Sequence, residues 1–330
     1  MNRKLLYFFM LCAIAGIAAY RLWGSDFDWR LFRSSLWSIK AGWLAASVVV
    51  TLITYVIRAF RWQVLLAHLK PVRIEPLIAT TVIGFSAIYL LGRPGELARP
   101  LWLTRKQKIP FSASVATIIV ERFLDSLMLI AVFAWALAVL KVPATAGSSL
   151  TALKDAARLI VAGSLIAIVC LIAFRSNIKR IVDAIPFRRV ANLASEFSNG
   201  LSFIESGRSL ALTLFHSAFL WIMIILQFWF MLLGMDFNFS AEASTLIMVG
   251  AALGSIAQIP GIGGGFQAGF VFCMATFFLV PAEKAIAASL IAWVFSYVPT
   301  VVTAAVYMLV QGETIGNLKN AILNPESQTV

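Results

Sequence analysis

GRPGELARPLWLTRKQKIPFSASVATIIVERFLD, residues 92–125, packs a proline and glycine break, a basic loop and three charges inside an apolar helical run into one short interval. Pro94 suits the first position of a helix, which places Glu96 in the first turn, where the helix dipole favours an anion. Arg99 follows three residues later on the same face. Glu121, Arg122 and Asp125 lie roughly 16 to 22 Å along the next helix from Pro110, at 1.5 Å per residue, near the middle of a bilayer. Each charge there costs on the order of 2.5–3.5 kcal/mol to insert, so these groups must pair or face water. Glu121 and Asp125 share a face at i, i+4, and Arg122 stands three residues from Asp125. With Arg93, Glu96 and Arg99 they form an expected intramembrane network of three acids and three arginines, neutral in sum. Its static counterpart is a structural tie between the broken segment and its neighbour.

Outward from this stretch the chain is apolar almost throughout. It is 61% hydrophobic and 13% charged over 330 residues, against roughly a quarter charged in a soluble domain. That excludes a water-soluble globular protein. Apolar runs at 5–19, 43–57, 77–91, 111–140, 159–174, 210–233, 244–259, 266–280 and 285–310 predict an all-α polytopic membrane bundle of about eight transmembrane helices with two re-entrant or broken elements. The whole chain, 1–330, reads as a single membrane domain. Residues 176–208 are expected to form cytoplasmic interfacial helices, and 312–330 a short polar tail.

The second break, GSIAQIPGIGGGFQAG at 254–269, carries no charge. Its Ser255, Gln258 and Gln267 sit among glycines that allow close backbone approach. It lacks the GKS or GKT ending of a phosphate-binding P-loop, so a hinge or second re-entrant turn is the better reading. Gly92, Pro94, Gly95, Pro260, Gly261, Gly263, Gly264, Gly265 and Gln267 are the hinge and re-entrant candidates. A break in each half of a chain is how transporters with internal repeats build a central site.

Lys and Arg number 27 against 15 Asp and Glu, an excess that suits topology and anionic headgroups better than nucleic acid. If residues 77–102 dip in and return, most basic residues sort to one side, leaving mainly Arg21, Arg30, Arg33, Lys40, Lys141, Lys154, Arg158 and Lys284 on the other. Arg58, Arg61, Lys70, Arg73, Arg105, Lys106, Lys108 and the 175–208 group then fall in cytoplasmic regions, with both termini cytoplasmic. The basic start followed by the 5–19 run is read as an uncleaved signal-anchor. Cys12, Cys170 and Cys273 lie in apolar runs, and His68 and His216 have no metal-ligand spacing, so no disulfide, metal or cofactor is expected. Paired carboxylates without a nucleophile or metal cluster argue against an enzyme.

Arginine matches phosphate oxygens bidentately. The expected substrate-binding residues are Arg93, Glu96, Arg99, Glu121, Arg122 and Asp125, and the expected partner is an anionic or phosphate-bearing membrane lipid. A membrane-protein partner or a second copy of the chain stays open.

Gly92, Arg93, Gly95, Glu96, Arg99, Pro100, Ile109, Pro110, Glu121, Arg122 and Asp125 match a long spaced signature, and the chain resembles the lysylphosphatidylglycerol synthase transmembrane, or flippase-like, family. Gln267 stands where many members carry Glu at the end of their second, proline and glycine-rich signature. The resemblance covers nearly the whole chain. It implies a helical bundle of the cytoplasmic (inner) membrane that moves a phospholipid or polyprenyl-phosphate-type lipid between leaflets. Larger relatives carry a soluble aminoacyltransferase domain. With about twenty residues after the last apolar run, none is expected here. The alternative is a non-catalytic accessory or scaffold protein of a lipid or envelope pathway.

Overall fold

A computed structural model of the chain describes residues 27–140, 162–163 and 206–310. In order, these residues form α1 (Trp29–Trp37), α2 (Ala41–Leu66), α3 (Ile74–Leu91), a 3-10 turn (Arg93–Leu97), α4 (Ala98–Gln107), α5 (Phe111–Val139), α6 (Gly207–Gly234), α7 (Ala241–Gly254), a second 3-10 turn (Ser255–Ala257), β1 (Gln258–Ile259), β2 (Gly263–Gly264), α8 (Gly265–Phe278) and α9 (Ala282–Val310). Polar residues punctuate the apolar runs. The Asp28 carboxylate accepts from the amides of Arg30 and Leu31 to open α1, and Ser206 and Ser240 cap α6 and α7 in the same way, satisfying first-turn donors that would otherwise be orphaned. Lys108, left-handed at φ 57, ends α4, and Pro110 opens α5.

Helices α2, α3, α5, α6 and α9 are long and apolar enough to cross a bilayer. The chain is a membrane protein. Large apolar side chains face outward on these helices, among them Val49, Phe215 and Ile222, as a hydrocarbon solvent requires. Helices α2 and α6 run antiparallel: the Lys40 amide donates to the Gly234 carbonyl at one end (2.8 Å), and His68 meets Ser209 at the other (3.0 Å).

Two hairpins enter this frame from opposite ends. In the first, α4 returns beside α3. The Gly84 backbone abuts the Arg99 side chain and Gly95 abuts Ala87 and Ile88, where a Cβ on either glycine would overlap its neighbour. The Lys70 ammonium donates to the Gln107 carbonyl (2.8 Å), so the hairpin starts and finishes at the His68 end. Length and composition would let α3 cross, and α4 folds back beside it. In the second hairpin, α7 and α8 pack antiparallel through Gly250 and Gly254 on one arm and Gly265 and Gly269 on the other. Each is so close to the facing arm that a Cβ would overlap it. Small residues four apart on both arms are the pattern that lets membrane helices touch backbone to backbone. The Phe239 and Phe278 rings meet at 4.9 Å, which puts this hairpin's base at the Gly234 end. At 14 residues each, or about 21 Å of rise, neither arm spans a hydrocarbon core of ~30 Å.

The two tips meet. The Gly261 amide donates to the Tyr89 carbonyl (3.0 Å). Gly92 turns away from α3 at φ 73, and a Cβ there would sit 3.1 Å from Pro260 Cγ, so the position needs glycine for both its angle and its space. One core, centred on Met231, Ile247, Phe270 and Ala288, surrounds the second hairpin, and another, around Trp62, Leu66, Leu77 and Leu103, supports the first.

Residues 244–259 and 266–280, each expected as a crossing, form the 14-residue arms α7 and α8 of the second hairpin. Arg58 and Arg61, expected in a cytoplasmic region beyond the 43–57 run, lie within α2, which continues through them to Leu66. The crossing at 5–19, most of that at 159–174, the interfacial helices expected at 176–208 up to residue 205, and the 312–330 tail lie outside the described residues, as do Cys12 and Cys170.

A candidate anion site of intramembrane arginines

Helical spacing on α2 places Arg58, Arg61 and Trp62 on one face. That face meets Glu121, Arg122 and Asp125 on α5 and Arg99 in the first turn of α4. The Arg99 guanidinium donates to Glu121 Oε2 (2.6 Å). Arg61 Nη1 donates to Asp125 Oδ1 (2.7 Å) and to the Ser217 hydroxyl on α6 (3.2 Å), while its Nε lies 3.8 Å from Glu121 Oε1. The second Asp125 oxygen, Oδ2, stands 3.6 Å from both Arg58 Nη1 and Arg122 Nη2. This is near enough for charge attraction and too far for a hydrogen bond.

Aromatic rings complete the cradle. Arg99 lies over Trp62 at 4.2 Å, and the Trp62 indole N–H donates to Thr117 (3.0 Å). The Phe85 ring has Arg58 at 4.7 Å, Arg122 at 5.6 Å and Arg99 at 5.7 Å from its centroid, so one quadrupole faces three cations. Gly84 makes this possible, since any larger residue would displace the Arg99 side chain that crosses it.

Burial divides the cluster. The side chains of Arg61, Glu121 and Arg99 are 0%, 1% and 2% exposed, whereas Asp125, Arg58 and Arg122 are 13%, 15% and 37% exposed. An inner set is fully enclosed and an outer edge is reachable. Buried guanidinium nitrogens remain without hydrogen-bond partners among the described residues: Arg58 Nη1, Nε and Nη2 of Arg61, and Nε and Nη2 of Arg99. Such spare donors suit an acceptor-rich anion.

Of the sequence candidates, Arg99, Glu121, Arg122 and Asp125 come together. Glu96 sits half-buried in the 3-10 turn at the hairpin tip, one turn nearer the tip than Arg99. The Arg93 backbone begins that turn, and its side chain is outside the description. Arg58 and Arg61 were missed as site residues. Their signal was present as two arginines and a tryptophan at i, i+3 and i+4 in an apolar run that resumes at Val64, but the hydropathy dip they cause ends the run early at Ile57. They also overturn the expected neutrality: the six joined side chains are four arginines and two carboxylates, a formal charge of +2.

Towards the tips, a polar layer closes the cluster off from the second hairpin. The Tyr55 and Tyr89 hydroxyls are 2.8 Å apart, Thr300 donates to Tyr55 (3.0 Å), and the Ser86 hydroxyl donates to the Thr300 carbonyl (3.1 Å). Tyr89 packs on Tyr297 at 4.1 Å. Arg58 and Arg61 lie three and six residues from Tyr55, or about 4.5 and 9 Å along α2. Beyond the layer, Gln267 donates to the Ile262 carbonyl (3.1 Å) and holds the second tip closed. Among the described residues no group of His, Cys, Asp and Glu could hold a metal ion.

No curated protein and no solved structure matches the chain significantly. The family model described as the lysylphosphatidylglycerol synthase TM region matches residues 10–304, which includes both hairpins and every charge of the cluster. This is a membrane protein that belongs to the lysylphosphatidylglycerol synthase TM region family.

Proposed function

We propose that the protein is a transporter that moves a phosphate-bearing lipid between leaflets, its headgroup held by the outer edge of the arginine cluster. The observation that carries this reading is the +2 cluster buried inside membrane-crossing helices, with Arg58 and Arg122 at its reachable edge. A charge of that kind is costly in hydrocarbon and marks a functional path by default. Two hairpins entering from opposite ends and meeting at their tips support alternating access: parting of the Tyr55–Tyr89 layer and the Gly261–Tyr89 bond would pass the headgroup from one end to the other. Lys70, Arg73, Arg105, Lys106, Lys108 and Arg208 lie at the end where the first hairpin opens, against Arg30, Arg33, Lys40 and Lys284 at the other. By the positive-inside rule the first is the cytoplasmic end, in a cytoplasmic (inner) membrane. No chemistry on the lipid is assigned to the cluster, which offers no nucleophile.

A second reading, a membrane accessory or scaffold protein, draws on the enclosure of Arg61, Arg99 and Glu121, as a purely structural network would be enclosed. The two readings separate in proteoliposomes with tail-labelled lipids. Arg58→Gln and Arg122→Gln each remove a charge-assisted contact of roughly 1.5–3 kcal/mol and are expected to slow transbilayer movement at least ~10-fold without lowering thermal stability. Undiminished movement in both variants, or no movement of any phosphate-bearing lipid by the wild type, contradicts the transport reading.

A further inference from the structure

Resting on the reading above, we propose that the cluster is matched to a doubly charged phosphomonoester lipid headgroup in preference to the singly charged phosphodiester of ordinary glycerophospholipids. Arginine does not give up its proton in proteins, so the four guanidiniums hold their charge at every physiological pH. Glu121 and one oxygen of Asp125 are engaged by Arg99 and Arg61. The remaining two positive charges are thus expressed at the edge where Arg58 and Arg122 flank Asp125 Oδ2. In a low-dielectric site an uncompensated charge is penalised heavily. A headgroup of charge −2 brings the six-residue cluster to zero, a phosphodiester leaves it at +1, and a zwitterion leaves it at +2.

Oxygen count points the same way. A phosphomonoester offers three terminal oxygens, enough to give Arg58 and Arg122 one each with one to spare. A phosphodiester has two. The Phe85 ring floors the space beneath both arginines and gives no acceptor to compete with the headgroup.

The second ionisation of a phosphomonoester falls near pH 6, which supplies a signature that a phosphodiester lacks. The groups facing the site are Tyr55, Arg58 and Arg61 from α2, Phe85 and Tyr89 from α3, Arg99 from α4, Glu121, Arg122 and Asp125 from α5, and Ser217 from α6. His216, next to Ser217, turns outward to stack on Phe60. A phosphodiester arm reports any protonation of the protein itself.

The test uses the full chain in phosphatidylcholine nanodiscs and reads energy transfer from tryptophan to dansyl-tailed phosphatidic acid or phosphatidylglycerol, between pH 8 and pH 5. Phosphatidic acid is expected to bind at least ~10-fold tighter at pH 8, with the ratio falling towards one at pH 5 while phosphatidylglycerol stays level. Arg122→Gln, which takes the cluster to +1, should bring the pH 8 ratio close to one, and Arg122→Lys should keep it. Equal binding of the two lipids at pH 8, or a ratio that ignores pH, overturns the dianion assignment and leaves the transport reading standing. If neither lipid binds above the phosphatidylcholine background, both fall. Inorganic phosphate is added as a competitor. Displacement at submillimolar phosphate would make the ligand a free ion and overturn the lipid assignment.

Discussion

Glu121→Ala is expected to cost about 3–5 kcal/mol of folded stability, because it leaves the enclosed guanidiniums of Arg61 and Arg99 without their shared carboxylate. Both arginines are fully enclosed, and Arg99 has no other described ion pair, so neither can reach water to compensate. In a thermal melt of the detergent-purified protein the loss should appear as a fall on the order of 5–10 °C. The double substitution Arg99→Met with Glu121→Leu removes both partners and should recover most of it. A Glu121→Ala variant that melts with the wild type would show that the inner pair does not hold the first hairpin to α5.

Gly254→Val is expected to be comparably damaging through packing alone. A Cβ there would overlap the carbonyl oxygen of Gly265, and backbone atoms on a facing helix cannot swing aside as a side-chain end can. Overpacking of ordinary core positions costs roughly 1–3 kcal/mol. Here α7 and α8 must separate, so the loss should reach or exceed the top of that range. Cys273, buried against Gly250 on the opposite arm, reports the separation. In a background lacking Cys12 and Cys170, its thiol should label slowly in the wild type and at least ~10-fold faster in Gly254→Val. Equal labelling would mean that the hairpin tolerates the added methyls.

These two effects rest on features of different visibility in the sequence. The break at Gly92–Pro94–Gly95 and the charges at Glu121, Arg122 and Asp125 are legible directly, because proline and glycine interrupt helices and ions are rare in apolar runs. The return of α4 beside α3 follows from them. The second hairpin is less legible. Its glycines signal a turn, but the pairing of Gly250 and Gly254 with Gly265 and Gly269 depends on how two arms meet in space. Arg58 and Arg61 are hidden by the same hydropathy rule that finds spans, since an arginine inside a helix looks like the end of one. Nothing local tells a loop arginine from one whose charge is met by a carboxylate on a helix some sixty residues away, and the sum of the cluster changes from neutral to +2 on that distinction alone.

Gln267 also gains a physical role. Its amide N–H donates to the Ile262 carbonyl within the second tip, a bond that a carboxylate at this position could make only when protonated.

The outer arginines are proposed to hold a phosphate-bearing lipid. The most direct test is native mass spectrometry of lipids retained by the protein purified from its own membrane, comparing wild type with the Arg58→Gln, Arg122→Gln double variant at equal folded yield. A phosphate-bearing lipid should be retained by the wild type and lost by the double variant. The same lipids retained by both, or a retained lipid without phosphate, would contradict the proposal.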